Sequence, residues 1–479
     1  MTVTVTVTVA LALALGAPPV GARAPAAAQA PAAAQAPAAA QIPLQARIDT
    51  AVNTVLARTA VPSASIAIVR DSNLEYAAAY GSAQIEPRRA ATPAMRYAVG
   101  SISKEFTATA LLLLQEAGKL SIDDAAGRWV PGMGPAATVS IRSLLSHTSG
   151  VRDDWPQDYD PPEFLKPTQP RDIVARWANQ PLDFPTGTAW RYSNTGYTVA
   201  GLIVERAAGM PLFPFLQQRI FQRLQMTSVV DFDAAPLSAA DATGYTRRAL
   251  GPPRPAAKEG SGWLFAAGEL AMTASDLARW DIALMRHEIL SDRSFRELTT
   301  EVRLVNGAGT TYALGLHVEL KSGKRLLSHG GEVGGFTAEN RLYPESGVAI
   351  VVLTNEDATD ASGAIADALA DLLLAADSPA DAAAAAGARD LFKQLQGGRI
   401  DGQRLTPNAR SYFTPQALED FQTSLAPLGE PQEFTLQRSV QRGGFSIHVY
   451  EAAFAHQSLN ITVLSTPEGL IEQYTVSAK

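Results

Sequence analysis

The sequence of 479 residues contains no cysteine, which excludes disulfides, thiolate metal sites and a cysteine nucleophile. Its six histidines are scattered and none belongs to an H-E-x-x-H pair, so neither a dedicated metal site nor any other cofactor is expected. Long runs of Lys or Arg are missing and the formal net charge is −7, which argues against nucleic acid as a partner. There is no G-x-S-x-G, so the strand–turn–helix elbow that presents some nucleophilic serines is not supported.

Basic residues are also missing before Arg23. Residues 1–23 carry an apolar stretch ending in small residues, too short to cross a bilayer as a helix. They read as a secretory signal, atypical in lacking a basic start, with cleavage near residues 22–30. The expected location is periplasmic or secreted, with no transmembrane helix in the mature protein. Three copies of APAAAQ make residues 24–43 an Ala/Pro linker with nothing to pack.

What is present is a long apolar chain, 46% hydrophobic, with ample core for several layers. LQARIDTAVNTVLART (44–59) has helical apolar spacing. PSASIAIVRDSNLEYAAAYG (62–81) reads as two strands around Asp71-Ser72-Asn73. Far along the chain, 325–331, 335–344 and 347–356 read as strands, with a turn at Pro344–Gly347, and 360–376 reads as a helix. Between the two sets lies a long middle, 101–300, expected to be mostly helical. The pattern predicts an α+β fold: one antiparallel sheet built from both ends of domain 44–376, flanked by terminal helices, with a large helical insertion and a cleft where sheet and helices meet. Residues 377–388 read as a second Ala-rich linker. Residues 389–479 read as a small α+β module of helices 388–396 and 415–425 and four alternating strands, without a catalytic constellation.

Within VGSISKEFTATALLLLQEAG (99–118), Ser101 and Lys104 are three apart and share one face of a helix, within reach of each other. A lysine desolvated among apolar neighbours loses basicity and can serve as a base. Free N–H groups at the helix start suit a developing negative charge. Taken alone, Ser-x-x-Lys reads more readily as a capping serine and a snorkelling lysine. Tyr192-Ser193-Asn194 lies on a turn before an apolar helix, and His329 ends a strand followed by Gly330 and Gly331, which allow close backbone approach.

Together and in this order, these motifs resemble the serine β-lactamase-like family of class C β-lactamases, D-alanyl-D-alanine carboxypeptidases and related esterases and aminopeptidases. The segments 121–133, 139–151, 189–229 and 266–280 also look like that family's recurring segments, so the resemblance covers about residues 46–375. It implies that Ser101 is the acylated nucleophile and that Lys104 helps deprotonate it. Tyr192 would be a shared base or a proton shuttle to the leaving group. Asn194 would orient Lys104 and bind the substrate's amide carbonyl. The backbone N–H groups of Ser101 and Glu332 would form the oxyanion hole. His329-Gly330-Gly331 stands where the family has Lys-Thr-Gly. A lysine would hold a substrate carboxylate by charge, a histidine only when protonated, and Gly330 lacks a hydroxyl. The resemblance thus implies an exported serine hydrolase acting through an acyl-enzyme on a small-molecule or peptide ester or amide. A slowly deacylating penicillin-binding D,D-peptidase, or a binding protein that lost turnover on the same fold, are the alternatives. His147 is expected to hold a loop. Trp155, Tyr159 and Phe164 would line the cleft or cover the core, and 258–263 would lie at the cleft rim. The oligomeric state is not legible.

Overall fold

The structure, a computed structural model, describes residues 43–155, 162–321, 323–374, 379–442 and 444–479. The leader and most of the first linker therefore lie outside the described residues, as does Tyr159. Helix α1 (Leu44–Thr59) buries Ile48, Val52, Val55 and Leu56 along one stripe, which is why the spacing reads as a helix. Strands β1 (Ser63–Arg70) and β2 (Asn73–Gln84) form the expected hairpin. Asp71 and Ser72 both have positive φ, matching a two-residue turn that follows the strand twist.

The main sheet has seven antiparallel strands. With β3 (Arg89–Ala90), β4 (His317–Lys321), β5 (Lys324–Val333), β6 (Phe336–Tyr343) and β7 (Val348–Thr354), the order is β3-β2-β1-β7-β6-β5-β4. The two ends of the domain meet at the centre, where Ile66 pairs with Val352. β1 and β7 are almost wholly buried because both faces are covered. Alternation splits their side chains by period two. Ile66, Ile68, Ile350 and Val352 pack with α1 and with helix α4 (Ala361–Leu374). Ala67, Val69, Val351 and Leu353 belong to the larger core under the inserted helices.

Helix α2 (Ser103–Glu116) runs through that larger core with its first twelve residues buried. Phe106 packs on Trp280 at 4.5 Å between ring centroids. Helix α3 (Asn194–Ala208) packs beside α2 and ends at Gly209 in the left-handed conformation. The middle is less helical than expected. Residues 227–272 hold mostly turns and two- or three-residue strands, including the small sheet of Tyr97–Ala98, Leu270–Met272 and Val230–Asp231. Pro236, Pro252, Pro253 and Pro255, with five glycines between 244 and 268, break helical periodicity there.

The C-terminal module has its own core of Leu391, Phe392, Tyr450, Ile461 and Tyr474. Its four strands form one antiparallel sheet in sequence order. The helix expected from residue 388 starts at Pro379, so most of the stretch read as a linker is helical backbone. Alanine, the best helix former, explains why a composition read as a linker propagates the helix. No single helix among the described residues is long and apolar enough to cross a membrane.

Candidate active site

Ser101 lies in a single tight turn, Gly100–Ile102, that leads into α2. Lys104 follows one turn later and is fully buried. Its Nζ lies 3.0 Å from Ser101 Oγ, 2.8 Å from Asn194 Oδ1 and 2.7 Å from the Ala267 carbonyl oxygen. A neutral amine has two donors and one lone pair. In that form the asparagine oxygen and the carbonyl would take the two donors and leave the lone pair for the serine hydroxyl, whereas the ammonium form donates to all three. Burial pulls the Lys104 ammonium down to about 7, while Asp153, Glu269 and Asp154 keep it from falling further.

Three segments converge to make this geometry. Ser193 caps α3, its Oγ accepting from Gly196 N at 3.1 Å, which sets Asn194 at the first helical position. Asp153 Oδ1 accepts from Asn194 N at 2.7 Å and Thr195 Oγ1 donates to Asp154 Oδ1 at 2.8 Å, tying the start of α3 to the preceding loop. Ala266 adopts a left-handed conformation, unusual for a non-glycine, and the carbonyls of Ala266 and Ala267 both point into α2, at Thr107 and Lys104.

Tyr192 and Ser101 line the same cavities, and Lys104 Nζ sits 4.8 Å from the Tyr192 ring centroid. Burial pushes the Tyr192 phenol upward, offset only in part by Ser101. Tyr192 also packs against His147, the rings tilted by 35° with centroids 4.2 Å apart, and His147 Nδ1 accepts from Ser193 N at 3.1 Å. His147 therefore holds the loop, as the sequence suggested, and the loop it holds is the one that carries Tyr192.

The strand side closes in at two glycines. A Cβ added to Gly331 would sit 1.9 Å from the Val99 carbonyl oxygen and 3.2 Å from Ser101 N. One added to Gly100, which has φ +51°, would sit 2.7 Å from Glu332 N. Only glycine permits this approach, and it brings the backbones of Ser101 and Glu332 together. β4 pairs with β5 only as far as Ser328. Among the described residues, no strand pairs with that edge of β5 beyond it.

His329 departs from the expectation of a switchable cation. It is 3% exposed, and burial pushes its imidazole down to about 3. Nδ1 donates to the Gly330 carbonyl at 2.5 Å, so Nε2 accepts from Tyr312 Oη at 2.8 Å. His329 is thus a neutral wall of the cleft, because desolvation and the nearby Lys104 outweigh any pull toward the charged form.

Two cavities meet at Ser101. One, of about 720 Å³, is lined by Asn194, Asp153, Trp155 and Trp263. The other, of about 620 Å³, runs past His329 and Gly330 along the sheet. Trp155 faces the first, whereas Phe164 is buried against Trp155 and Trp263. In the rim segment 258–263, Glu259 Oε1 accepts from Gly334 N at 2.7 Å. Sequence reading passed over Asp153, Glu339 and the Ala267 carbonyl. The acidic pair Asp153-Asp154 just after His147 was the one available signal, whereas the other two depend on tertiary approach and strand register.

The family profile described as Beta-lactamase matches residues 48–375. A penicillin-binding protein of Bacillus subtilis is 28% identical over 405 residues, covering 76% of this chain and 86% of that protein. A D-aminopeptidase of Brucella anthropi is 26% identical over 314 residues, covering 64% of this chain and 59% of the relative. Among solved structures, a D-stereospecific amidohydrolase from Streptomyces sp. is 26% identical with a TM-score of 0.59, covering 67% of this chain and 97% of that one. The octameric penicillin-binding protein homologue of Pyrococcus abyssi shares the fold, with a TM-score of 0.61 at 20% identity, covering 90% of this chain and 99% of the other. The chain belongs to the Beta-lactamase family of serine hydrolases.

Proposed function

We propose that this protein hydrolyses an ester or amide, of the D-amino acid type for which its relatives are named, through an acyl-enzyme on Ser101. The observation that carries the reading is the Lys104 amine, fully buried, pulled down to about 7 and placed 3.0 Å from Ser101 Oγ with its other partners fixed. Near neutral pH a large fraction of Lys104 is uncharged and accepts the Ser101 proton as Oγ attacks the carbonyl carbon. The oxyanion forms against the N–H groups of Ser101 and Glu332, where each aligned donor contributes roughly 3–4 kcal/mol to the transition state. The raised Tyr192 phenol keeps its proton at working pH, which favours its role as the shuttle that protonates the leaving group over that of a standing base. Water then attacks the acyl ester, and the same groups return the proton to Ser101.

The acyl portion lies in the cavity beside Asn194 and Trp155, and the leaving group lies in the cavity past His329. Export rests on the apolar leader read in residues 1–23. The test is intact-protein mass spectrometry of the purified protein with a p-nitrophenyl ester and with a penicillin. Rapid ester turnover that disappears in Ser101→Ala is expected. Turnover that survives Ser101→Ala overturns the reading. A lasting penicilloyl mass on Ser101 would make the protein a slowly deacylating penicillin-binding peptidase instead.

A further inference from the structure

Gly330 and Glu339 face each other across the β5–β6 ladder, so a side chain at 330 and that of Glu339 would share one face of the sheet. Gly330 offers no side chain. Glu339 Oε2 lies 3.4 Å from the point where a Cβ would stand, so the carboxylate occupies space that a side chain at 330 would claim. Glu339 is also part of the cavity that starts at Ser101 and Tyr192.

The charges in that cavity are lopsided. Glu332, Glu339, Asp360 and Asp367 line it, against the single guanidinium of Arg341. Arg341 is already committed: its Nε donates to Glu339 Oε1 at 2.8 Å and its Nη1 to Asp367, to which Lys321 is also paired. His329 has both ring nitrogens engaged, and His317, which also lines the cavity, is held toward its neutral form by burial although Glu319 and Glu339 pull the other way. The Glu339 side chain keeps 18% of its surface exposed, so it is reachable yet partly desolvated. A charged group placed there is felt more strongly than in bulk water.

Resting on the serine-hydrolase reading above, we propose that the Glu339 end of the cleft is a cation subsite, taking substrates whose leaving group carries an ammonium or similar positive charge. A carboxylate in the same place would meet Glu339, and among the described residues lining the cavity the one guanidinium, Arg341, is already paired. Glu339 acts as a specificity residue and takes no part in the bond changes at Ser101.

The experiment compares three phenyl acetates that differ only at the meta position of the leaving group: trimethylammonio, its uncharged isostere tert-butyl, and carboxylate. Intrinsic reactivity cancels when the ratio of kcat/KM for the cationic over the neutral ester is compared between wild type and Glu339→Gln. That ratio is expected to fall about tenfold in Glu339→Gln, with the carboxylate ester gaining relative to the neutral one. The wild-type ratio is also expected to shrink from about 20 mM to about 500 mM salt. Equal ratios in the two proteins overturn the proposal. Should Glu339→Gln fail to fold, a wild-type ratio that is flat with salt overturns it. If Ser101→Ala hydrolyses the neutral ester as fast as wild type, the acyl-enzyme reading fails. If only the ratios fail to move, the Glu339 assignment fails alone.

Discussion

Lys104 and Asn194 are 90 residues apart in the chain, yet Nζ donates to Oδ1 at 2.8 Å. That single bond joins the start of α2 to the start of α3. Each end is fixed by something other than the pair itself: Lys104 by the Ala267 carbonyl, and Asn194 by the Ser193 cap and the Asp153 carboxylate. The amine cannot swing away from Ser101 without breaking contacts in three segments. Such preorganisation is what a base needs if its lone pair is to meet the serine proton.

The first prediction concerns pH. Raising the pH removes the Lys104 proton, and burial has moved that event down to about 7. kcat/KM for an uncharged ester should therefore climb about tenfold per unit below that point and level off about one unit above it. Lys104→Gln should lose about a hundredfold to ten-thousandfold in rate together with that limb of the profile. A profile that climbs only near the ordinary lysine range would rule out a depressed Lys104.

Tyr192 is separable from Lys104 by choice of leaving group. A p-nitrophenolate departs without a proton, whereas an amine does not. Tyr192→Phe should slow amide cleavage about a hundredfold or more and p-nitrophenyl ester cleavage by less than about tenfold. Equal losses on both substrates would mean that Tyr192 acts before the leaving group departs, as a base or as a support for Ser101.

Gly331 is a steric prediction. A methyl group there would sit 1.9 Å from the Val99 carbonyl oxygen, a contact that only a backbone shift relieves. Gly331→Ala should destabilise the protein by about 1–3 kcal/mol and separate the amides of Ser101 and Glu332. Ester turnover should fall well beyond what the lost folded fraction explains, read as kcat per acylatable Ser101. Gly330→Ala, whose nearest neighbour is the movable Glu339 carboxylate at 3.4 Å, should fold with near-normal stability. Equal effects at the two glycines would falsify the account.

These residues differ in how far the sequence exposed them. Ser101, Lys104, Tyr192 and Asn194 were legible because each sits in a short motif whose partner is local or whose turn signal is plain. The hairpin at Asp71–Ser72 and the sheet strands were legible for the same reason: period-two and helical patterns are local. The state of His329 was not, since its neutrality comes from burial and the nearby Lys104, both set by tertiary packing. Glu339 was invisible because strand register, and not spacing, places it opposite Gly330. The helical start of the C-terminal module at Pro379 was misread because alanine-rich composition marks linkers and helices alike.

The last prediction concerns a buried acid that the chemistry does not use. Glu105 follows Lys104 on α2 and is fully buried, with Oε2 accepting from Trp280 Nε1 at 2.8 Å. Asn340 Nδ2 lies between it and Asp281, donating to Asp281 Oδ1 at 3.0 Å and to Glu105 Oε1 at 3.3 Å. Burial raises Glu105 to about 7 and lifts Asp281 well above its ordinary value. In the unfolded chain Glu105 loses its proton near the usual carboxylate range, while the folded protein keeps it to about 7. Between those limits the folded state binds more protons, so stability is full below the window and falls as pH rises through it. The loss from Glu105 is at most on the order of 3 kcal/mol. Glu105→Gln keeps the acceptor for Trp280 and has no proton to lose. Its unfolding free energy, followed by urea denaturation from pH 5 to about 8, should decline less steeply than that of the wild type. The gap should favour the variant at the alkaline end. Parallel slopes would mean that the folded protein ionises Glu105 as readily as the unfolded chain does, and that the Asn340 bridge offsets the burial completely.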